Sequence, residues 1–135
     1  MLKVSFLLRW LCLVAVAVAL VGCADSRAKP GVRAHENKNK MVALKPEMTT
    51  EQVTTLMGPP DKIVMQRGKN NEAVVTYLYL TQYGDTYSRG WDRNNYTPFI
   101  FVNDHLSGWG WHHLDIAAKR YEFDLTKTSF LAPSQ

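Results

Sequence analysis

Hydrophobic and polar positions follow four different patterns in turn along the chain. Trp10 to Val21 is an uncharged apolar run of 12 residues behind Lys3 and Arg9. A helix that crosses a bilayer needs about 20 apolar residues, so this run is short for a span and fits the apolar region of an export signal. Residues 24–43 are polar and charged with few large apolar groups. Such a segment cannot offset its ordering entropy by burial, and a flexible tether is expected there. Val53, Leu56 and Met57 then follow i, i+3, i+4 spacing, which lays them on one helix face. Thr49 and Gln52 form a capping box at its start, with Met48 and Val53 as a hydrophobic staple. Gly58, Pro59 and Pro60 stop it. A helix of about two turns is not stable alone and must pack on another element.

Beyond Asp61 the period falls to two. Lys62–Arg67 is a first expected strand, closed by Gly68-Lys69-Asn70-Asn71, a turn composition. Ala73–Tyr83 is a second. Val74, Thr76, Leu78 and Leu80 lie on one face, and Val75, Tyr77, Tyr79 and Thr81 on the other. Substantial side chains on both faces predict a central strand. Tyr96–Val102 is a third, with Pro98 near its start, where a missing donor is tolerated. Asn103-Asp104-His105 turns the chain into a fourth, Leu106–Trp111. Residues 114–124 fit a short helix or an extended arm equally well. The pattern therefore predicts an α+β fold: a short N-terminal helix or helices on an antiparallel sheet of three or four strands. The expected organisation is a signal at 1–22, a tether at 23–43, the α+β domain at 44–125 and a tail at 126–135.

Length excludes a large nucleotide-binding sheet or an eight-fold barrel, since the chain has 135 residues. The end of the apolar run changes the picture further. Leu20-Val21-Gly22-Cys23 resembles the lipobox of bacterial lipoproteins. The resemblance implies cleavage between Gly22 and Cys23, a diacylglycerol on the Cys23 thiol and an acyl group on its new amine. Several acyl chains, each methylene contributing about 0.8 kcal/mol on burial, give stable membrane anchoring. Ala24 rather than aspartate after Cys23 implies sorting to the outer membrane. Loss of residues 1–22, with Lys3 and Arg9, leaves 113 residues carrying 14 basic and 12 acidic side chains. That balance gives no reason to expect nucleic acid. Cys12 leaves with the signal, so no free thiol remains for catalysis or a disulfide, and the lipid on Cys23 is the one covalent group expected.

The stretch Met48-Thr49-x-x-x-Val53, ending Leu56-Met57-Gly58-Pro59-Pro60, resembles the helix of the SmpA/OmlA (BamE-like) lipoprotein family. Phe99-Ile-Phe-Val-Asn-Asp-His-Leu-Ser-Gly-Trp-Gly-Trp111 resembles that family's final hairpin. The resemblance spans roughly residues 44–111 and implies helices on one face of a small antiparallel sheet. It also implies a non-catalytic accessory at the periplasmic side of the outer membrane, with an envelope protein partner such as the outer-membrane β-barrel assembly machinery. The chain departs from the family pattern in its near-direct passage from tether to helix. It departs again in a long aromatic insertion at 84–95, and no partner-binding residues carry over.

That insertion and its flanks hold the candidate recognition residues. Tyr87, Arg89, Trp91, Arg93 and Tyr96 are of the types enriched at binding hot spots. Two roles are open for them: an exposed contact with a protein or an acidic polymer of the envelope, or Trp91 folded back over the open sheet face with the arginines solvated. A second reading is a ligand-binding module for glycan or peptide, using the same region and the tryptophans Trp109 and Trp111. Inhibition of a periplasmic enzyme is a third. Trp109 and Trp111 share one face of the expected fourth strand, and packing on the core is the plainer role for them. His112 and His113, adjacent on that strand, would point to opposite faces, so no metal site is expected from them with His105, Asp115 or Glu122. Ser88 and Ser107 lack a Gly-x-Ser-x-Gly setting, and no catalytic residues are expected.

Overall fold

A computed structural model describes residues 29–83 and 93–128. Helix α1 is Pro30–Lys40 and α2 is Thr50–Met57. Strands β1 (Lys62–Arg67), β2 (Ala73–Leu80), β3 (Tyr96–Val102) and β4 (His105–Trp109) follow, then helix α3 (Trp111–Tyr121). Short 3-10 turns lie at Met41–Ala43, Arg93–Asn95 and Leu125–Lys127. The strands form one antiparallel sheet in the order β1-β2-β3-β4. The fold is α+β, with helices packed on a small antiparallel sheet.

The two-sided pattern of β2 dictates how the layers assemble. Val74 and Leu78 sit with Val64, Ile100, Leu114, Ala117 and Phe123 in one cluster under α3. Tyr79 sits with Phe99, Phe101, Leu106, Val53, Met57 and Leu44 in a second cluster under α2. The sheet therefore has a helix on each face, where the family resemblance implied helices on one. A strand apolar at both parities needs cover on both sides. Tyr79 is 1% exposed, and its hydroxyl donates to Gly58 O at 2.9 Å. Burial pushes its phenol up to about 12, so it stays a neutral donor.

The local signals around α2 hold in detail. Gln52 N–H donates to Thr49 Oγ1 at 3.2 Å, and Thr49 N–H donates to Gln52 Oε1 at 2.9 Å. Asn103 and Asp104 have φ of 50° and 70°, the geometry of a two-residue hairpin turn whose twist matches the strands. Thr50 Oγ1 donates to Asp104 Oδ1, which ties that turn to the start of α2.

Three expectations are corrected. The expected tether at 23–43 is helical over Pro30–Lys40. Only Ala34 and Asn37 of α1 are buried, one small and one polar, so no apolar stripe announces it. Polar contacts hold it instead. Asn37 Nδ2 donates to Leu80 O at 2.8 Å, and Arg33 pairs with Asp61, whose other oxygen accepts from Leu80 N–H at 2.8 Å. Pro30 opens the helix, and Lys38 and Lys40 complement the dipole at its end. The second strand stops at Leu80 rather than Tyr83, because Thr81 and Gln82 N–H both turn to Asn95 O. The fourth strand stops at Trp109. Gly110, at φ 92°, redirects the chain, and Trp111 opens α3, so residues 111–121 are helical.

Candidate functional site

Among the described residues, coverage of the α2 face is incomplete. Helix α2 packs over Tyr79, Phe99, Phe101 and Leu106, on β2, β3 and β4. On β1 it leaves Ile63 and Met65 outside, 50% and 76% exposed. The register sets Ile63 opposite Tyr77 and Met65 opposite Val75, so these four side chains make a flat apolar strip. Tyr77 and Val75 are half-buried at its inner margin. The Tyr77 ring is held 4.9 Å from the Phe101 ring. A shallow hollow of about 320 Å³ lies along the strip at Met65, Arg67, Ala73 and Val75. A second, of about 420 Å³, lies where Tyr77 meets Thr50, Glu51, Thr54 and Thr55 of α2. The strip is apolar, with Arg67 at one end and Glu51 at the other. Sequence reasoning did not single out Ile63 or Met65. Their alternation within a six-residue strand was visible, but not which strands α2 packs over.

On the far side of α2, Ala43, Lys45, Met48, Gln52, Thr55 and Leu56 line an open groove of about 740 Å³ with Glu51. Its walls mix charged, polar and apolar groups, and among the described residues no aromatic ring lines it.

The sequence-derived candidates are dispersed. Gly22, Cys23, Tyr87, Arg89 and Trp91 lie outside the described residues, as do the signal segment 1–22, residues 23–28 of the expected tether and most of the tail. Arg93 and Tyr96 are described and meet at Trp111. The Arg93 guanidinium sits 4.0 Å from the Trp111 ring centre, and Trp111 Nε1 donates to Tyr96 O at 2.9 Å. Tyr96 and Trp111 pack against the cluster under α3, whereas Trp109 packs against the cluster under α2. The two tryptophans therefore lie on opposite sides of the sheet and make no shared stacking platform, contrary to the expected common strand face.

His112 and His113 lie in the first turn of α3 rather than on a strand. The His113 ring lies against Gly108, where a Cβ would come within 2.6 Å of it. Ser107 Oγ and His113 Nε2 are 3.0 Å apart. Ser107 is the extra residue where the β3–β4 register shifts, a β-bulge. Burial lowers the His113 pKa below 6.5, and the nearby Arg120 and His112 charges lower it further. The charges that act on the ring thus oppose its protonation, whereas a base for a serine nucleophile needs a carboxylate to stabilise the imidazolium. His105 Nδ1 lies 3.2 Å from Glu47 O, and Glu122 pairs with Lys69 at 2.8 Å. Among the described residues, no group of three or more His, Cys, Asp or Glu is placed to hold a metal ion.

No curated protein and no solved structure matches the chain. A family model described as "Protein of unknown function (DUF3192)" matches residues 14–115. That match runs from within the N-terminal apolar segment to the first turns of α3, most of the chain, so the protein belongs to the DUF3192 family.

Proposed function

We propose that this protein is an envelope lipoprotein, cut between Gly22 and Cys23 and held by acyl groups on Cys23 in the outer membrane. Its domain faces the periplasm and acts without catalysis, by protein contact, as an accessory to outer-membrane protein assembly or envelope integrity. The observation that carries the contact role is the apolar strip Ile63, Met65, Val75 and Tyr77, left open beside α2. Large exposed apolar side chains grouped on one sheet face favour a macromolecular partner over water. The separation of Trp109 from Trp111 argues in the same direction, since a sugar-binding platform needs stacked aromatic rings on one face. The anchoring part rests on sequence: the Leu20-Val21-Gly22-Cys23 stretch lies inside the family match, which begins at residue 14. Metabolic labelling of the full-length chain with palmitate, followed by membrane fractionation, tests it. Label on the wild-type chain and none on Cys23→Ala is the expected result. A wild-type chain that takes up no label would overturn the anchoring.

A further inference from the structure

The ladder geometry says which backbone groups of β1 point away from β2. Gly68 N–H donates to Glu72 O at 3.0 Å, which extends the β1–β2 register by one pair. Hydrogen-bonded and non-bonded pairs alternate in an antiparallel ladder. Lys62, Val64 and Gln66 therefore turn their N–H and C=O groups toward β2. Ile63, Met65 and Arg67 turn theirs outward, away from the sheet.

The two sheet edges are treated differently. At β4, Glu47 N–H donates to Leu106 O at 2.9 Å and Leu106 N–H to Met48 O at 2.8 Å, so the segment before α2 closes that edge. At β1, no backbone bond from another described segment reaches Ile63 or Met65. Folded proteins blunt an exposed edge with charge, proline or a bulge. β1 carries none of these at its centre, where Ile63, Val64 and Met65 are apolar.

We propose that β1 is an acceptor edge, which takes up an extended segment of a partner protein as a fifth strand. The inference rests on the contact role proposed above and specifies its mode. Main-chain pairing with Ile63, Met65 and Arg67 supplies affinity, and the side chains beside the apolar strip supply selectivity. Charge sets the chemistry of the segment. Among the described residues, the hydrogen-bond partner of the Arg67 guanidinium is the neutral amide of Asn71, at 2.9 Å. Glu51 stands at the opposite end, near Tyr77. The fitting segment is therefore apolar at alternate positions, with an Asp or Glu at the Arg67 end and none beside Glu51. A second copy of β1 does not meet this description. The strand Lys62–Arg67 holds no acidic residue, and antiparallel self-pairing would bring basic ends together.

Site-specific photocross-linking of the full-length chain in cells tests this. A benzophenone amino acid replaces Met65 in one strain and Val42, 89% exposed and away from the sheet, in another. Support requires a product at position 65 that maps to an apolar partner segment carrying Asp or Glu. Its yield should fall about tenfold in Arg67→Glu and survive in Arg67→Lys. Thermal melts of both variants that match the wild type exclude unfolding as the cause. Products at position 42 but not at 65 overturn the edge and leave the contact role standing. Products at neither position overturn both. A product joining two copies of the chain overturns the choice of occupant, as does a yield unaffected by Arg67→Glu.

Discussion

His113 is the side chain whose environment bears most directly on behaviour in solution. Its ring rests on Gly108, meets Ser107 Oγ at 3.0 Å, and is held below its ordinary pKa of 6.5 by burial first and by Arg120 and His112 next. The unfolded chain takes up a proton at a pH where the folded chain does not. Stability from the neutral ring is therefore complete above 6.5 and falls as the pH drops through the lowered value. Thermal melts across this range should show the midpoint of the wild type falling as the solution is acidified, and falling less in His113→Gln. Equal slopes would mean that other groups set the acid response. Gly108 lets α3 pack closely on β4, whereas the alternation places His112 and His113 on a strand. Gly110, at φ 92°, is the reason: one left-handed position ends the strand before Trp111.

The elements differ in how openly their residues announce them. β1 and β3 fall where the alternation places them, and α2 where its capping box and Gly-Pro-Pro stop place it, because those signals are local. Helix α1 is carried by long-range polar contacts, which leave no periodic trace. Asn37 reaches 43 positions along the chain to Leu80 O, and Arg33 reaches 28 to Asp61. Asn37→Ala should cost about 1–3 kcal/mol, the range for a buried polar group that loses its partner. Hydrogen exchange of the α1 amides should accelerate in the same variant, since the helix buries little else. Unchanged exchange in α1, measured residue by residue, would show that the helix is anchored by something other than Asn37.

Taken together, the layers explain why one part of the surface stays apolar. Helix α3 packs on one face, α2 on part of the other, and residues 47–48 close the β4 edge, so among the described residues the margin at β1 is what remains. The fold class and the two-sided burial of β2 were readable from the sequence. The open margin was not, because it depends on which strands α2 packs over, a contact between residues distant in sequence. The aromatic insertion and its flanks carry the recognition candidates that the sequence offers, and the described ones, Arg93 and Tyr96, join Trp111 beside the cluster under α3. A direct comparison tests whether the contact is made through this strip. The full-length wild type, the double variant Ile63→Lys with Met65→Lys, and Ile116→Lys on the exposed side of α3 would each be purified from chemically cross-linked envelopes. Recovery of the co-purifying protein should fall about tenfold in the double variant, as at a binding hot spot, and match the wild type in Ile116→Lys. Equal recovery from the wild type and a folded double variant would contradict a contact made through this strip.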